Sequence, residues 1–237
     1  MLDLKGNRIT YFGHSTFSLT TASGEVALID PWVMTNPRCP DSLKKLQRLD
    51  TVFLTHGHSD HLGDLLALAK QFRPKIVASF ETYLWLGSKG FGEETRPMGK
   101  GGTQQVGEFS VTMTHAMHSN SIHDGDNVVY GGEPAGFIVR LPGGISIYHA
   151  GDTALFGDMK LIAEIYKPQI ALLPIGDHFT MGPREAAYAT RFLGVKHVIP
   201  MHYATFSFLT GTAEAFRRGT ADIAGLTIHA LKPGDSL

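Results

Sequence analysis

The chain has 237 residues, 43% of them hydrophobic and 18% charged, which excludes a disordered or coiled-coil chain and is enough to bury a core. Lysine plus arginine total 21 and aspartate plus glutamate 22, so no overall positive field favours nucleic acid or an anionic membrane surface. The single cysteine, Cys39, excludes an internal disulfide framework and any multi-cysteine metal site, and suits a reducing compartment.

Met1 to Thr10 lacks the basic segment and long apolar stretch of a secretory signal, and no uninterrupted apolar run reaches about 18 residues. The expected location is the cytoplasm, with no membrane insertion. Apolar runs at Arg8 to Phe12, Thr16 to Leu19, Val26 to Ile29, Val52 to Leu54 and Ile76 to Ala78 read as strands. So do Phe109 to Met113, Phe137 to Leu141, Ile145 to Tyr148, Ile170 to Leu173, His197 to Ile199 and Leu226 to Ile228. Helical periodicity marks Gly63 to Phe72, Thr82 to Leu86, Leu155 to Tyr166, Pro183 to Phe192 and Thr212 to Arg217. Thr82 and Thr212 read as caps near helix starts, and Pro183 fits a first helical position. Gly90 to Gly107, rich in glycine and mixed in charge, reads as a loop. No linker interrupts the pattern, so one domain spans 1–237. Its class is α/β (α+β), with two packed sheets and helices outside.

The histidines, 12 in all, are unevenly placed. Thr55-His56-Gly57-His58-Ser59-Asp60-His61 directly follows the apolar run Val52-Phe53-Leu54. Three imidazoles and a carboxylate at this density cannot all hide in a core. Gly57 lets the chain turn, so that His56 and His58 face one ion and Asp60 and His61 a neighbour. Imidazole and carboxylate suit zinc, and also iron or manganese. Ligand-type residues also follow three other strands: His115 and His118 after Met113, His149 and Asp152 after Ile147, and His202 after Ile199. In sheets covered by helices, sites lie beyond the carboxyl ends of strands, so these ends can meet at one rim.

The order His-x-His-x-Asp-His, then a lone His, a lone Asp and a final His resembles the metallo-β-lactamase superfamily. Gly13-His14-Ser15, Ile29-Asp30-Pro31, Gly151-Asp152-Thr153, Phe179-Thr180-Met181 and Pro200-Met201-His202-Tyr203 resemble a group of small metal-dependent hydrolases within it. That group is similar to the sugar-phosphate lactonases and the N-acyl-phosphatidylethanolamine phospholipases D. The resemblance implies a four-layer αββα sandwich, the metallo-β-lactamase fold, with two divalent metal ions, zinc first and manganese or iron also suitable. His56, His58 and His118 would bind one metal, Asp60, His61 and His202 the other, and Asp152 would bridge them. It also favours His118 over His115 as the ligand. Asp152 stands where the true β-lactamases usually carry cysteine, which argues against antibiotic hydrolysis.

Two divalent ions, two aspartates and a bridging hydroxide sum to a charge near +1, so the site should welcome a small anionic substrate. The hydroxide attacks without a protein nucleophile, and Asp60 is the expected catalytic residue, aligning it. Asp30 is either a partner that fixes a ligand histidine, as the resemblance implies, or a turn former before Pro31. His14 reads as a supporting or substrate contact, or as a turn histidine. His178 borders the pocket by resemblance. His149 reads equally as a core hydrogen bonder or a site residue, whereas His123, His197 and His229 carry no expected metal role, and Cys39 is a loop or buried thiol. Trp32, Met34, Phe179, Met181, Tyr203, Phe206 and Phe208 either line an apolar wall or pack the core. Arg184 and Arg191 share a helix face.

The expected function is dinuclear metal-dependent hydrolysis of a small ester-like substrate, a lactone or a phosphodiester. The alternatives are a nuclease or RNA-processing phosphodiesterase, which the balanced charge disfavours, and an iron-dependent redox enzyme of the same fold. A non-enzymatic metal-binding module fits poorly with a full ligand set. A homo-oligomer is compatible with the sequence.

Overall fold

Side-chain alternation along the buried strands decides the layering. The computed structural model describes residues 2–237. Its first half comprises β1 (Arg8–Gly13), β2 (Thr16–Thr20), β3 (Val26–Ile29), β4 (Thr51–Phe53), α1 (Ser59–Leu62), α2 (Leu65–Phe72), β5 (Lys75–Ser79), α3 (Phe80–Ser88) and β6 (Thr95–Met98). These strands form one sheet in the order β1-β2-β3-β4-β5-β6. After it come β7 (Thr103–Val106), β8 (Phe109–His115), β9 (Ser121–Asp124), β10 (Asn127–Tyr130), β11 (Ala135–Arg140) and β12 (Ser146–His149). The chain closes with α4 (Met159–Tyr166), β13 (Ile170–Pro174), α5 (Pro183–Leu193), β14 (His197–Met201), α6 (Ala213–Gly219) and β15 (Thr227–Ile228). The second sheet runs β15-β14-β13-β12-β11-β8-β7, and β9 and β10 pair with each other as a separate hairpin.

On β3, Ala27 and Ile29 enter the central core while Leu28 faces the outer cluster under α2 and α3. On β13, Ile170 and Leu172 enter the central core while Ala171 and Leu173 face α4, α5 and α6. Strands buried on both faces must be covered on both faces. The result is the expected αββα sandwich. Phe53, Phe109 and Phe137 meet between the sheets with ring centroids 5.8 and 5.9 Å from Phe53, and full burial of each ring contributes about 2–3 kcal/mol.

All the expected strands and helices are present, with ends moved by a few residues. Gly90 to Gly107 is corrected: it contains β6 and β7, each at a sheet edge. Pro97 lacks a ladder donor, which an edge strand tolerates, and β7 is Thr-Gln-Gln-Val, too polar to read as a buried run. The α3 cap is also corrected: Ser79 accepts from the Thr82 amide, so Thr82 lies inside the helix. Thr212 does cap α6, accepting from Ala215, and Pro183 does open α5. Residues 235–237 hydrogen-bond along β1 and cover that sheet edge. Among the described residues, no helix is long and apolar enough to cross a membrane.

Candidate metal centre

Parallel pairing places the carboxyl ends of β3 and β4 together, and likewise those of β12, β13 and β14. β8 also points this way, since β11 lies antiparallel to both β8 and β12. The residues just beyond these ends are Asp30, the His56–His61 segment, His118, Asp152 and His202. Each sheet therefore supplies part of one rim.

The segment after β4 is extended to His58 and then makes the single turn α1, with the His61 and Leu62 amides donating to the His58 carbonyl. Gly57 passes close to the hairpin: a Cβ there would lie 2.4 Å from Ile122 Cγ1 and 3.1 Å from Asn120 Oδ1. Gly151, at φ 64°, turns Asp152 inward, and a Cβ there would lie 2.3 Å from the Ala135 carbonyl oxygen. His14, Asp30 and His202 are non-glycine residues with φ of 59°, 51° and 54°. Such backbone costs on the order of 1–2 kcal/mol per residue, and here it holds three polar side chains at the rim.

Three ring nitrogens converge on one side. His58 Nδ1 lies 3.1 Å from His56 Nε2 and 3.3 Å from His118 Nε2. A tetrahedral ion with nitrogen ligands about 2.0–2.1 Å away requires its ligand atoms about 3.3 Å apart, so this face matches a tetrahedral metal-binding donor set. On the other side, His14, Asp60, His61 and His202 offer ligand atoms that all lie within 4.8 Å of one another, and His56, His61 and Asp152 form a third such group. Asp152 connects the two sides. Its Oδ1 is 3.2 Å from His61 Nε2, and its Oδ2 is 2.9 Å from His202 Nε2 and 3.8 Å from His118 Nε2.

The surrounding hydrogen bonds set the imidazole tautomers. Asp30 Oδ1 accepts from the Thr55 amide at 2.8 Å, and Oδ2 accepts from Thr55 Oγ1 at 2.8 Å and from His61 Nδ1 at 2.7 Å. The Thr55 hydroxyl has spent its proton on Asp30, so its 2.9 Å contact with His56 Nδ1 has the ring donating. His56 and His61 thus carry protons on Nδ1 and direct Nε2 into the centre. His61 Nε2 and Asp152 Oδ1 are both buried without a hydrogen-bond partner. A buried ring nitrogen facing a buried carboxylate oxygen at this distance calls for positive charge between them, which a proton on His61 or a metal cation supplies.

The electrostatics agree. Burial pushes His56 well below its ordinary value, and likewise lowers His58 and His118, keeping these rings neutral. His61 is the exception: burial opposes its charge, yet the Asp152 and Asp30 carboxylates hold it well above its ordinary value. Burial works against ionising Asp152 and Asp60 as well. Nevertheless His202 and His61 hold Asp152 low, and the His14 hydrogen bond and His61 hold Asp60 low. The centre is built for positive charge.

His14 Nε2 is 3.0 Å from Asp60 Oδ2, and its Nδ1 is 2.9 Å from Thr205 Oγ1. Burial pushes this ring down to about 4, so it is neutral at pH 7. The Asp60 carboxylate can only accept, hence Nε2–H donates to it and the Thr205 hydroxyl donates to Nδ1. His178 is different. It is exposed, with its ring against Phe179 and Phe208, and has no contact with the cluster.

His149 is fully buried, donating from Nε2 to the Ser15 carbonyl at 3.0 Å and accepting from the Gly151 amide at 3.2 Å. His115 is exposed and contacts Lys100, His197 and His229 contact each other, and Cys39 is a buried free thiol. Met181 belongs to the core, whereas Trp32, Phe206, Phe208 and Phe179 form a chain of ring contacts. His123, given no role from sequence, lines the same cavity as the cluster. Asn120 was also missed. Its buried amide accepts from Gly57 N at 2.7 Å and donates to the Gly131 carbonyl at 2.8 Å, tying the hairpin to the ligand segment.

A family model described as the β-lactamase superfamily domain matches residues 26–203. The chain belongs to the metallo-β-lactamase superfamily. Within the superfamily, it is 52% identical over 236 residues to a UPF0173 metal-dependent hydrolase of Rubrobacter xylanophilus, covering 99% of this chain and 97% of the relative. A UPF0173 metal-dependent hydrolase of Koribacter versatilis is 48% identical over 235 residues, covering 99% of each. Among solved structures, Igni18, a metallo hydrolase from Ignicoccus hospitalis, superposes with a TM-score of 0.86 at 34% identity, covering 98% of this chain and 97% of that one. This superfamily member is a metal-dependent hydrolase of the metallo-β-lactamase fold.

Proposed function

We propose that the chain is a dinuclear hydrolase of small ester-like substrates, a lactone or a phosphodiester, with His56, His58 and His118 holding one divalent cation and Asp60, His61 and His202 the other. Asp152 lies between them. The observation that carries this reading is the unpaired, buried facing of His61 Nε2 and Asp152 Oδ1 at 3.2 Å, flanked by ligand groups on both sides. When bound, the cations supply Lewis acidity and a water acidified to a pKa of about 7.

The protein's own groups then have defined tasks. Asp30 and Thr55 hold His56 and His61 in the tautomer that leaves Nε2 free. Asp60 is the carboxylate that aligns the attacking water, and the donated His14 Nε2–H holds Asp60 in place. His14 engages Asp60 Oδ2 with one proton, which leaves the remaining lone pairs of the carboxylate for the cation and for this work. No side-chain nucleophile is required. Zinc suits the three-imidazole face, with manganese or iron as alternatives. The buried free thiol suits a reducing compartment, the cytoplasm.

The test is metal analysis of the untagged protein purified without added metal or chelator, followed by assays of the apo and reconstituted forms. About two zinc or manganese ions per chain with metal-dependent ester or phosphodiester cleavage is the expected result. Iron without hydrolysis would overturn the hydrolytic assignment, and one ion per chain at saturation would overturn the dinuclear one. Asp152→Ala is expected to lower occupancy and abolish turnover together.

A further inference from the structure

The cluster opens into a cavity of about 300 Å³ whose walls differ in chemistry. Ser119, Ser121 and His123 supply hydroxyls and an imidazole, Phe179 supplies a phenyl ring, and no lysine or arginine among the described residues lines it. The polar wall follows from local structure. The Asn120 amide is used at both ends, by Gly57 and Gly131, which fixes the approach to β9. Along β9, period-two alternation buries Ile122 in the outer core and puts Ser121 and His123 on the other face.

The apolar wall is held at a cost. Asp177 and His178 have φ of 66° and 65°, two consecutive left-handed residues without a glycine, and they immediately precede Phe179. The strained turn is braced by Asp177, whose Oδ1 accepts from the His178 amide at 2.8 Å and whose amide donates to the Met181 carbonyl at 3.0 Å. Phe179 stays 58% exposed while lining the cavity. Its ring meets Phe208 edge-on at 5.6 Å, Phe208 stacks on Phe206 at 5.2 Å, and Phe206 stacks on Trp32 at 6.1 Å. Trp32 in turn meets His14, the partner of Asp60, at 5.3 Å. An aromatic shelf thus runs outward from the centre.

We infer that the cavity is a two-sided substrate site: Ser119, Ser121 and His123 bind hydroxyl-bearing groups, and Phe179 and Phe208 bind an apolar group of the molecule that is hydrolysed. This rests on the hydrolytic reading above and narrows it. Hydrolysis of a lactone or carboxylic ester adds one water. A C–O bond forms from water to the acyl carbon and the ring or ester C–O bond breaks. One water proton passes to the departing alkoxide oxygen, and the other is lost from the carboxylic acid as it ionises.

Three probes test the inference on the metal-loaded protein: γ-nonalactone, with an alkyl tail; D-galactono-γ-lactone, with hydroxyls; and bis(p-nitrophenyl) phosphate. Phe179→Ala is expected to lower the ratio of kcat/KM for γ-nonalactone to that for galactonolactone about tenfold, and the double variant Ser121→Ala/His123→Ala to raise it about tenfold. Metal content and urea midpoints measured alongside separate these shifts from damage to the centre or fold. Ratios unmoved by both variants would overturn the subsite. Loss of metal-dependent turnover on all three probes, in protein carrying two ions, would overturn the hydrolytic reading and the subsite with it.

Discussion

The backbone amide of His202 donates to the backbone carbonyl of His14 at 2.8 Å, joining the end of β14 in one sheet to the end of β1 in the other. The rings of these residues also lie 4.0 Å apart, and both backbones are left-handed. The two halves of the rim are therefore held together by main chain as well as by any ion between them.

His14 should act through Asp60. His14→Phe keeps an aromatic ring but deletes the Nε2–H that Asp60 accepts and the Nδ1 that Thr205 meets. The expected result is a fall in kcat of about 10- to 100-fold with metal content retained. Steady-state kinetics with parallel metal analysis check this, and a rise in KM alone would assign His14 to substrate binding instead.

Asp30 accepts three hydrogen bonds at a fully buried position. Asp30→Ala strands the Thr55 amide, the Thr55 hydroxyl and the His61 ring N–H together. Buried groups left without partners cost about 1–3 kcal/mol each, so a loss of at least about 3 kcal/mol is expected. Urea denaturation of the metal-free protein measures it. A loss below about 1 kcal/mol would mean that water reaches these groups.

His149 offers a pH test at a residue outside the proposed ligand set. Burial holds its pKa below the ordinary value, and its two hydrogen bonds require the neutral ring. The unfolded chain takes up a proton near pH 6.5 and the folded one only at lower pH, so the unfolded state binds more protons in that window and stability falls as pH drops below about 6.5. His149→Gln retains a donor for Ser15 and cannot titrate. Between pH 7 and 5 the wild type should lose more stability than the variant, by up to about 1.4 kcal/mol per pH unit. Parallel stability curves would show that His149 is not protonated on unfolding.

The layers were legible in the sequence because the buried strands are apolar on both faces, as in Val52-Phe53-Leu54, and such strands need cover on both sides. The ligand-type residues were legible because His56, His58, Asp60 and His61 are crowded after one of them. β7 was hidden because Gln104 and Gln105 place no apolar side chain on either face. The β9–β10 hairpin carried a signal that went unread: Gly125-Asp126 between Asp124 and Asn127 is a two-residue turn that opens with glycine, at φ 61°. Asn120 and His123 could not be placed without that hairpin. The segment holding His178 does border the cavity through Phe179, but the His178 ring packs on Phe179 and Phe208, a direction that its place in the sequence does not reveal.

The hairpin's isolation has an evolutionary side. β9 and β10 pair only with each other, and the ladders of both large sheets run on without them. Mutations at Ser121 or His123 therefore leave sheet register, core volume and the ligand segment untouched as long as Asn120 and Ile122 stay. Selection can retune what enters the cavity through this small appendage while the centre beneath it remains fixed.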